Sequence, residues 1–281
     1  MNESPALNDS PIRTRATVID NRADGGGGFC LTLSVPGWPG ALPGQFVMLS
    51  AGPCTSVERW DPLLPRPMAI YRGHQPAPAG GIAEIQVLYK ATGAGTRLLA
   101  EALPGQSVRV VGPLGVGFPP PNPGQRVCLV GGGSGTASLY EWAVQCARTQ
   151  PVSVLLGARR AQELIGLKDF EALSVDLRCA TEDGSLGTAG RVTALLEPLL
   201  VDVKPDEISL YVCGPTPMMR ACSSIASRAG IRCIVSLENN MACGFGVCLG
   251  CAVPLAKGGF SLVCKAGPVY DAGDVDWGGL P

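Results

Sequence analysis

Along the first hundred residues, apolar and polar positions alternate in short runs. ATVID (16–20), FCLTLSV (29–35), QFVMLS (45–50), PMAIYR (67–72), IAEIQVLY (82–89) and SVRVV (107–111) each carry a period-two pattern or a short apolar run. Both are marks of half-buried strands. Gly/Pro-rich turns separate them: PGWPGALPGQ, RGHQPAPAGG and LPGQ. Short strands joined by tight turns predict a compact antiparallel barrel or sandwich.

From about Pro113 the period changes. RVCLVG, VSVLLGA, VDLRCA, ISLYVCG and IRCIVSL are almost continuously apolar, as strands buried on both faces are. Helical patterns fall between them. In TASLYEWAVQCARTQ, Tyr140, Ala143, Val144 and Ala147 lie on one helix face. AQELIGLKDFEAL (161–173) is expected to be a helix. So is TPMMRACSSIASRAG (216–230), with Thr216 as its cap, Pro217 in its first turn, Met218, Cys222, Ile225, Ala226 and Ala229 along one side, and Gly230 at its end. Alternating β and α units predict a Rossmann-like parallel sheet covered by helices on both faces. The expected architecture is therefore multidomain β plus α/β. A lead of residues 1–12 precedes an antiparallel barrel over 13–112, an α/β domain over 113–237 and a Gly-rich tail over 238–281.

Composition narrows the function classes. The net charge is −1 and no basic–aromatic run occurs, which argues against a nucleic-acid partner. No apolar run reaches the roughly 20 residues that span a bilayer. The first residues, MNESPALNDSPIRTR, lack the apolar core of a secretion signal and read as a flexible lead. That favours a cytoplasmic, reducing location, where disulfides are disfavoured.

Twelve cysteines are present, and their placement matters more than their number. Cys30, Cys128, Cys179, Cys213 and Cys233 sit in apolar runs, where cysteine acts as a small buried hydrophobe. Cys146 and Cys222 fall in helical segments, and Cys54 in a loop. Only Cys243, Cys248, Cys251 and Cys264 cluster, in a C-x4-C-x2-C run followed by a fourth cysteine. This is the plant-ferredoxin spacing for a 2Fe–2S cluster. Gly244, Gly246 and Gly250 allow such a loop to fold tightly. Structural zinc more often uses C-x2-C pairs on both sides; zinc and unligated thiols are the weaker readings. His74, the only histidine, lies in a Pro/Gly-rich loop and is expected to be exposed.

Three other stretches bear chemistry. In LVGGGSGTASLY a strand meets a Gly-rich turn and then a helix, so Gly132, Gly133, Ser134 and Gly135 could cradle a phosphate at a helix N-terminus. The spacing is not G-x-G-x-x-G, and a turn that only packs helix on strand would look similar. Cys213, Gly214 and Pro215 close a second strand, where ligands of open α/β sheets bind; Cys213 alone would equally suit the core. In the barrel, Arg66 offers directed donors to a diphosphate or flavin, or a salt bridge at a strand edge. Gly93, Gly95 and Thr96 offer backbone N–H groups before a helical turn.

Taken in order, RPMAIY, KATGAGT, GPLGVGF, VGGGSGT, VCGPTPMM and MACGFGVCLGC resemble the ferredoxin–NADP reductase superfamily. Within it they resemble the branch with a C-terminal 2Fe–2S cluster, the electron-transfer subunits of NAD-dependent class 1B dihydroorotate dehydrogenases. The resemblance runs from about Arg13 and is most specific at ENNMACGFGVCLGC. It implies an FAD-binding barrel, an NAD-binding α/β domain and a cluster-binding tail. It also implies flavin contacts from Arg66, Pro67, Met68, Ala69, Leu88, Tyr89, Lys90, Gly95 and Thr96, and cluster ligation by Cys243, Cys248, Cys251 and Cys264. The family usually has Ser or Thr where Ala69 stands, so a side-chain hydroxyl is missing there.

The implied function is electron transfer in pyrimidine biosynthesis, with no catalytic residue for dihydroorotate in this chain. An FMN-containing catalytic subunit would be the partner in a hetero-oligomer. Electrons would pass from that FMN through the cluster and FAD to NAD. Two alternatives remain at this stage: a related FAD/2Fe–2S subunit serving a sulfide dehydrogenase, transhydrogenase or hydrogenase, and a zinc-stabilised nucleotide-binding regulator. NAD and NADP are not separated by the residues, although Arg159 and Arg160 follow a strand where an adenosine phosphate or ribose could be read.

Overall fold

A computed structural model describes residues 10–55 and 61–280. Most of the expected 1–12 lead lies outside the described residues. By Ile12 the chain is already a strand.

The first sheet is built from β1 (Ile12–Ala23), β2 (Gly28–Pro36), β3 (Phe46–Leu49), β4 (Arg66–Ala69), β5 (Ile82–Lys90) and β6 (Ser107–Leu114), with the short helix α1 (Ala94–Ala100) before β6. Its order is β4-β3-β6-β1-β2-β5 with antiparallel neighbours. Just after β4, Tyr71 and Arg72 exchange backbone hydrogen bonds with Gln86 of β5. The two edges of the sheet thus meet, which distinguishes a barrel from a sandwich. Ala16, Leu31, Leu33, Val47, Leu49, Ile85, Val87 and Val110 fill its interior.

The second sheet contains β7 (Arg126–Gly132), β8 (Val152–Ala158), β9 (Asp176–Thr181), β10 (Thr188–Ala189), β11 (Ile208–Cys213) and β12 (Cys233–Ser236), all parallel in the order β10-β9-β8-β7-β11-β12. Its helices are α2 (Thr136–Cys146), α3 (Leu167–Glu171), α4 (Thr193–Leu199) and α5 (Thr216–Arg228). Along β7, Val127 and Leu129 pack with α2 and α3 residues such as Ala143 and Phe170, whereas Cys128 and Val130 pack with Leu196, Cys222 and Ile225 of α4 and α5. Burial on both faces explains why these strands read as unbroken apolar runs.

In the tail, β13 (Ala252–Pro254) and β14 (Phe260–Leu262) form a hairpin, and β15 (Val269–Asp271) adds antiparallel to β12 at the edge of the large sheet. Cys251, Val253, Val263 and Cys264 share one core with Phe46, Met48 and Leu114 of the barrel and with α5. The tail is therefore wedged against both larger units.

Three expectations are corrected. The helix expected over 161–173 is interrupted: a 3-10 turn at Ala161–Glu163 is separated from α3 by Gly166, whose φ of +72° ends one and starts the other. α5 is capped by Pro215, with Thr216 its first helical residue and no side-chain cap. His74 is buried, only 5% exposed, because its loop folds against α2, where Glu141 lies 3.8 Å away. Pro/Gly-rich composition marks a turn, but it does not say whether the turn is covered.

Candidate functional site

The chemistry-bearing residues converge where the three units meet. One cleft of about 500 Å³ is lined from the barrel by Arg66, Pro67, Met68, Ala69, Leu88, Tyr89, Lys90 and Thr96, from the α/β domain by Ser134, Ser138 and Ser236, and from the lead into the cysteines by Glu238, Asn239, Asn240 and Met241. Gly95 does not face the cleft directly. It makes room: a Cβ there would lie 2.7–2.8 Å from the guanidinium of Arg66. Arg66 is held across the start of α1, with one Nη donating to the Leu64 carbonyl at 2.6 Å. Thr96 caps the same turn, its hydroxyl accepting from the Gly93 N–H at 3.0 Å. A cation over free backbone N–H groups at a helix start fits a diphosphate, and the long apolar wall beyond it fits an isoalloxazine ring.

Cys213 does not line the cleft; it is fully buried against Ser138 and Ser236, which do. Its Sγ lies 3.3 Å from the Ser236 carbonyl and 3.6 Å from the Ser138 hydroxyl, and burial pushes its thiol up to about 12. Glu238 faces open space yet is ringed by protein; that enclosure raises its carboxyl pKa, against a hydrogen bond from Ser134.

A second cavity, about 460 Å³, lies at the C-terminal ends of the parallel strands. Gly132, Gly133 and Pro215 line it with Arg159, Glu163, Glu182, Arg191 and Met218. Two predicted stretches are brought together here. A Cβ on Gly135 would fall 2.4 Å from the Cys213 backbone, and one on Gly214 would meet the Gly132 carbonyl at 3.0 Å. Only glycine permits this approach of the two strand ends. Lys90 lines both cavities. Arg160, by contrast, is not among the lining residues. The sequence reading missed Glu163, Glu182 and Arg191; the end of β9 at Thr181 was a usable signal for Glu182, because ligands of such sheets sit beyond the strand ends.

The four clustered cysteines fold into a loop against the barrel. A Cβ on Gly244, at φ +79°, would lie 2.8 Å from Met48 and 2.9 Å from Leu114. Met48 and Leu114 share a core with Phe46, which lines the first cleft, as does Met241 just ahead of Cys243. Cys251 and Cys264 are buried with Sγ atoms 3.2 Å apart, Cys243 is half-buried and Cys248 exposed. Slight burial raises the Cys243 thiol, but hydrogen bonds from Cys248, Phe245 and Val247 outweigh it and bring the pKa down to about 6. Burial first, then the neighbouring Cys251, push Cys264 up to about 12.

Among the described residues no three His, Cys, Asp or Glu side chains converge on one point as a single-ion site. The sulfurs instead form two pairs, Cys243 with Cys248 and Cys251 with Cys264. Two cysteine pairs supply the four thiolates that a 2Fe–2S cluster requires. Around the loop Phe245, Val247, Leu249 and Phe260 are exposed, Val247 to 82% and Phe260 to 75%.

Comparison with known proteins agrees with this arrangement. Residues 238–276 match the family model described as the iron-sulfur cluster binding domain of dihydroorotate dehydrogenase B, and residues 129–224 match an oxidoreductase NAD-binding domain. The dihydroorotate dehydrogenase B (NAD(+)) electron transfer subunit of Bacillus caldolyticus is 38% identical over 94% of this chain and 98% of its own length. That of Desulforamulus reducens is 36% identical over 84% of this chain and 87% of its own. The chain belongs to the dihydroorotate dehydrogenase B electron-transfer subunits. Among solved structures, an NADH-dependent reduced ferredoxin-NADP oxidoreductase aligns with this family member at a TM-score of 0.78 and 28% identity, over 94% of this chain and 90% of that one. A ferredoxin NADP+ reductase from Neisseria gonorrhoeae, at 17% identity and a TM-score of 0.63 over 78% of this chain and 92% of its own, shares the fold. As a member of this family the chain is an oxidoreductase component whose cofactors are FAD, a 2Fe–2S cluster and NAD.

Proposed function

We propose that this chain carries electrons from an FMN-containing, dihydroorotate-oxidising catalytic subunit to NAD in pyrimidine biosynthesis, as part of a cytoplasmic hetero-oligomer. The observation that carries the reading is the single cleft walled by all three units, with the cysteine loop packed at Gly244 against Met48 and Leu114 of the barrel. A bound flavin exchanges electrons singly with an iron–sulfur cluster and in pairs, as hydride, with a nicotinamide.

The chain's own residues bind, orient and insulate. Arg66 with the N–H groups at Gly95 and Thr96 holds the diphosphate. Pro67, Met68, Ala69, Leu88 and Tyr89 form the flavin wall, and Lys90 places a cation between the two clefts. Ala69 has no hydroxyl; the cleft's polar side chains from outside the barrel include Ser134, Ser138, Ser236 and Glu238. Gly132, Gly133 and Gly135 with Gly214 and Pro215 receive the dinucleotide over the buried Cys213. Glu163 and Glu182 in that pocket offer acceptors to ribose hydroxyls, beside the cations Arg159 and Arg191. Cys243 with Cys248, and Cys251 with Cys264, would hold the cluster as two thiolate pairs. The apolar rim around Cys248 is the docking face for the catalytic partner, since an exposed patch of this kind marks an interaction site.

Purification alone and with the catalytic subunit tests the reading. The chain by itself should carry flavin and two irons, oxidise NADH with an artificial acceptor and leave dihydroorotate untouched. Adding the partner should couple dihydroorotate oxidation to NAD reduction. A colourless one-zinc protein, or a specific partner with a different substrate, would overturn it.

A further inference from the structure

A network of five side chains joins the barrel to the α/β domain. Asp169 of α3 accepts a 2.7 Å hydrogen bond from the Tyr71 hydroxyl and pairs with Arg72 at 2.9 Å. Arg72 also donates to the Tyr140 hydroxyl of α2 and to the Gln86 side chain of β5, each at 3.0 Å. Its guanidinium lies 4.5 Å from the Tyr140 ring centroid and 5.0 Å from that of Tyr71. Tyr71 is fully buried.

Around this hub the units touch without spare room. The Gly166 N–H donates to the Asp24 carboxylate of the β1–β2 turn. A Cβ on Gly26 would lie 2.4 Å from the Gln162 carbonyl, and one on Gly166 would lie 2.9 Å from Leu88 and 3.1 Å from the Tyr71 hydroxyl. The same segments continue into both clefts. Tyr71 follows Ala69 by two residues, Leu88 lines the first cleft, and Glu163, at the other end of the turn that carries Gly166, lines the second. α2 begins at the Gly-rich turn of the nucleotide pocket.

We propose that Asp169 is a positioning residue: gripped by Tyr71 and Arg72, its carboxylate sets how the nucleotide pocket faces the flavin cleft, and so the efficiency of hydride exchange between them. This rests on the assignment of the two clefts to flavin and nicotinamide. The transferred unit is one hydride, a proton with two electrons, moving between the bound dinucleotide and the flavin with no further reactant. Asp169 touches neither; it acts through the alignment of the two walls, where a misplacement of about 1 Å can cost on the order of 100-fold in rate.

The test compares Asp169→Asn, Asp169→Glu and Tyr71→Phe with the parent in the FAD- and cluster-loaded chain. Asp169→Asn keeps the size of the side chain but removes the charge facing Arg72. Three quantities are measured: FAD occupancy, the long-wavelength charge-transfer absorbance formed when NAD stacks on the reduced flavin, and the rate of flavin reduction at saturating NADH. Asp169→Asn should retain FAD, lose most of the charge-transfer band and slow flavin reduction by about tenfold or more. Asp169→Glu should recover part of both, and Tyr71→Phe, which loses one hydrogen bond, should give a smaller effect of the same kind. Unchanged band and rate in Asp169→Asn overturn the proposal, as does loss of FAD, which would make the pair part of the flavin site itself. If Asp169→Asn fails to fold, Tyr71→Phe decides alone: no change in its band overturns the proposal. A parent protein that gives no band and no reduction by NADH would instead refute the assignment of the clefts.

Discussion

The Sγ atoms of Cys251 and Cys264 lie 3.2 Å apart in a buried pocket, although the two residues are separated by a hairpin in sequence. Cys248, in the same loop, is exposed. The two halves of the cysteine set therefore differ in what they support, and their substitution should have different consequences.

Cys248→Ala should abolish the cluster and electron exchange with the partner, while FAD stays bound and NADH oxidation by an artificial acceptor continues. Cys251→Ala should also lose the cluster and in addition lower the melting temperature, because it opens a core shared with Val253 and Val263. Iron content, flavin absorbance and thermal unfolding of the two variants check this. Loss of FAD from Cys248→Ala would contradict the separation of cleft and loop.

Gly95→Ala should weaken FAD binding by about tenfold, equivalent to about 1.4 kcal/mol. The added methyl would displace the Arg66 guanidinium, 2.7 Å away. Gly95 is helical and alanine favours a helix, so the folded chain itself should be no less stable. Flavin titration of the apoprotein together with its melting curve separates the two effects. Arg66→Ala should show the same loss of flavin.

Gly135→Ala should be harsher. Its methyl would meet the Cys213 backbone at 2.4 Å, and neither strand end can move without shifting the sheet. A cost of about 1–3 kcal/mol in stability and weaker NADH binding are expected, measured by chemical denaturation and by NADH titration.

Val247→Lys should reduce association with the catalytic subunit and leave flavin, iron content and NADH oxidation as in the parent. Val247 is 82% exposed, so nothing in the chain itself depends on its side chain. Co-purification or analytical ultracentrifugation of the mixed subunits gives the answer; undiminished association would move the docking face elsewhere.

Burial lowers the His74 pKa from 6.5 to about 4, and neither ring nitrogen has a hydrogen-bond partner. At neutral pH the contact with Glu141 is therefore not an ion pair. Between those two values the unfolded chain binds a proton that the folded chain does not. This contribution to stability is complete above about pH 6.5, declines as the pH falls, and is lost in full near pH 4, amounting to about 3 kcal/mol at most. Melting temperatures across this range should fall more steeply for the parent than for His74→Leu, and equal slopes would refute the assignment.

Much of this was legible in the sequence, and for identifiable reasons. The barrel strands and β7, β8 and β11 follow from the period of apolar positions, which is a local property. The four cysteines were legible because cluster ligation demands a fixed spacing within one loop. Arg66 and Gly95 could be named separately, but their contact joins β4 to α1 across residues that no local pattern links. Glu163, Glu182 and Arg191 escaped notice because charged residues after a strand look alike whether they face solvent or a ligand. His74 was misjudged for the converse reason, since what covers a loop comes from another part of the chain.

What the sequence by itself determined, then, is the set of parts: a β-barrel, a parallel α/β sheet, a cysteine loop, and the residue types able to hold phosphate, flavin and iron. Period, turn chemistry and ligand spacing all act over a few residues and leave their mark in order along the chain. Only the tertiary structure decided how the parts face one another. The pairing of Cys251 with Cys264, the sharing of Lys90 between two clefts, and the grip of Tyr71 and Arg72 on Asp169 depend on glycines at which backbones touch and on cores common to two units. Such contacts join residues far apart in sequence, and packing, not local pattern, selects them.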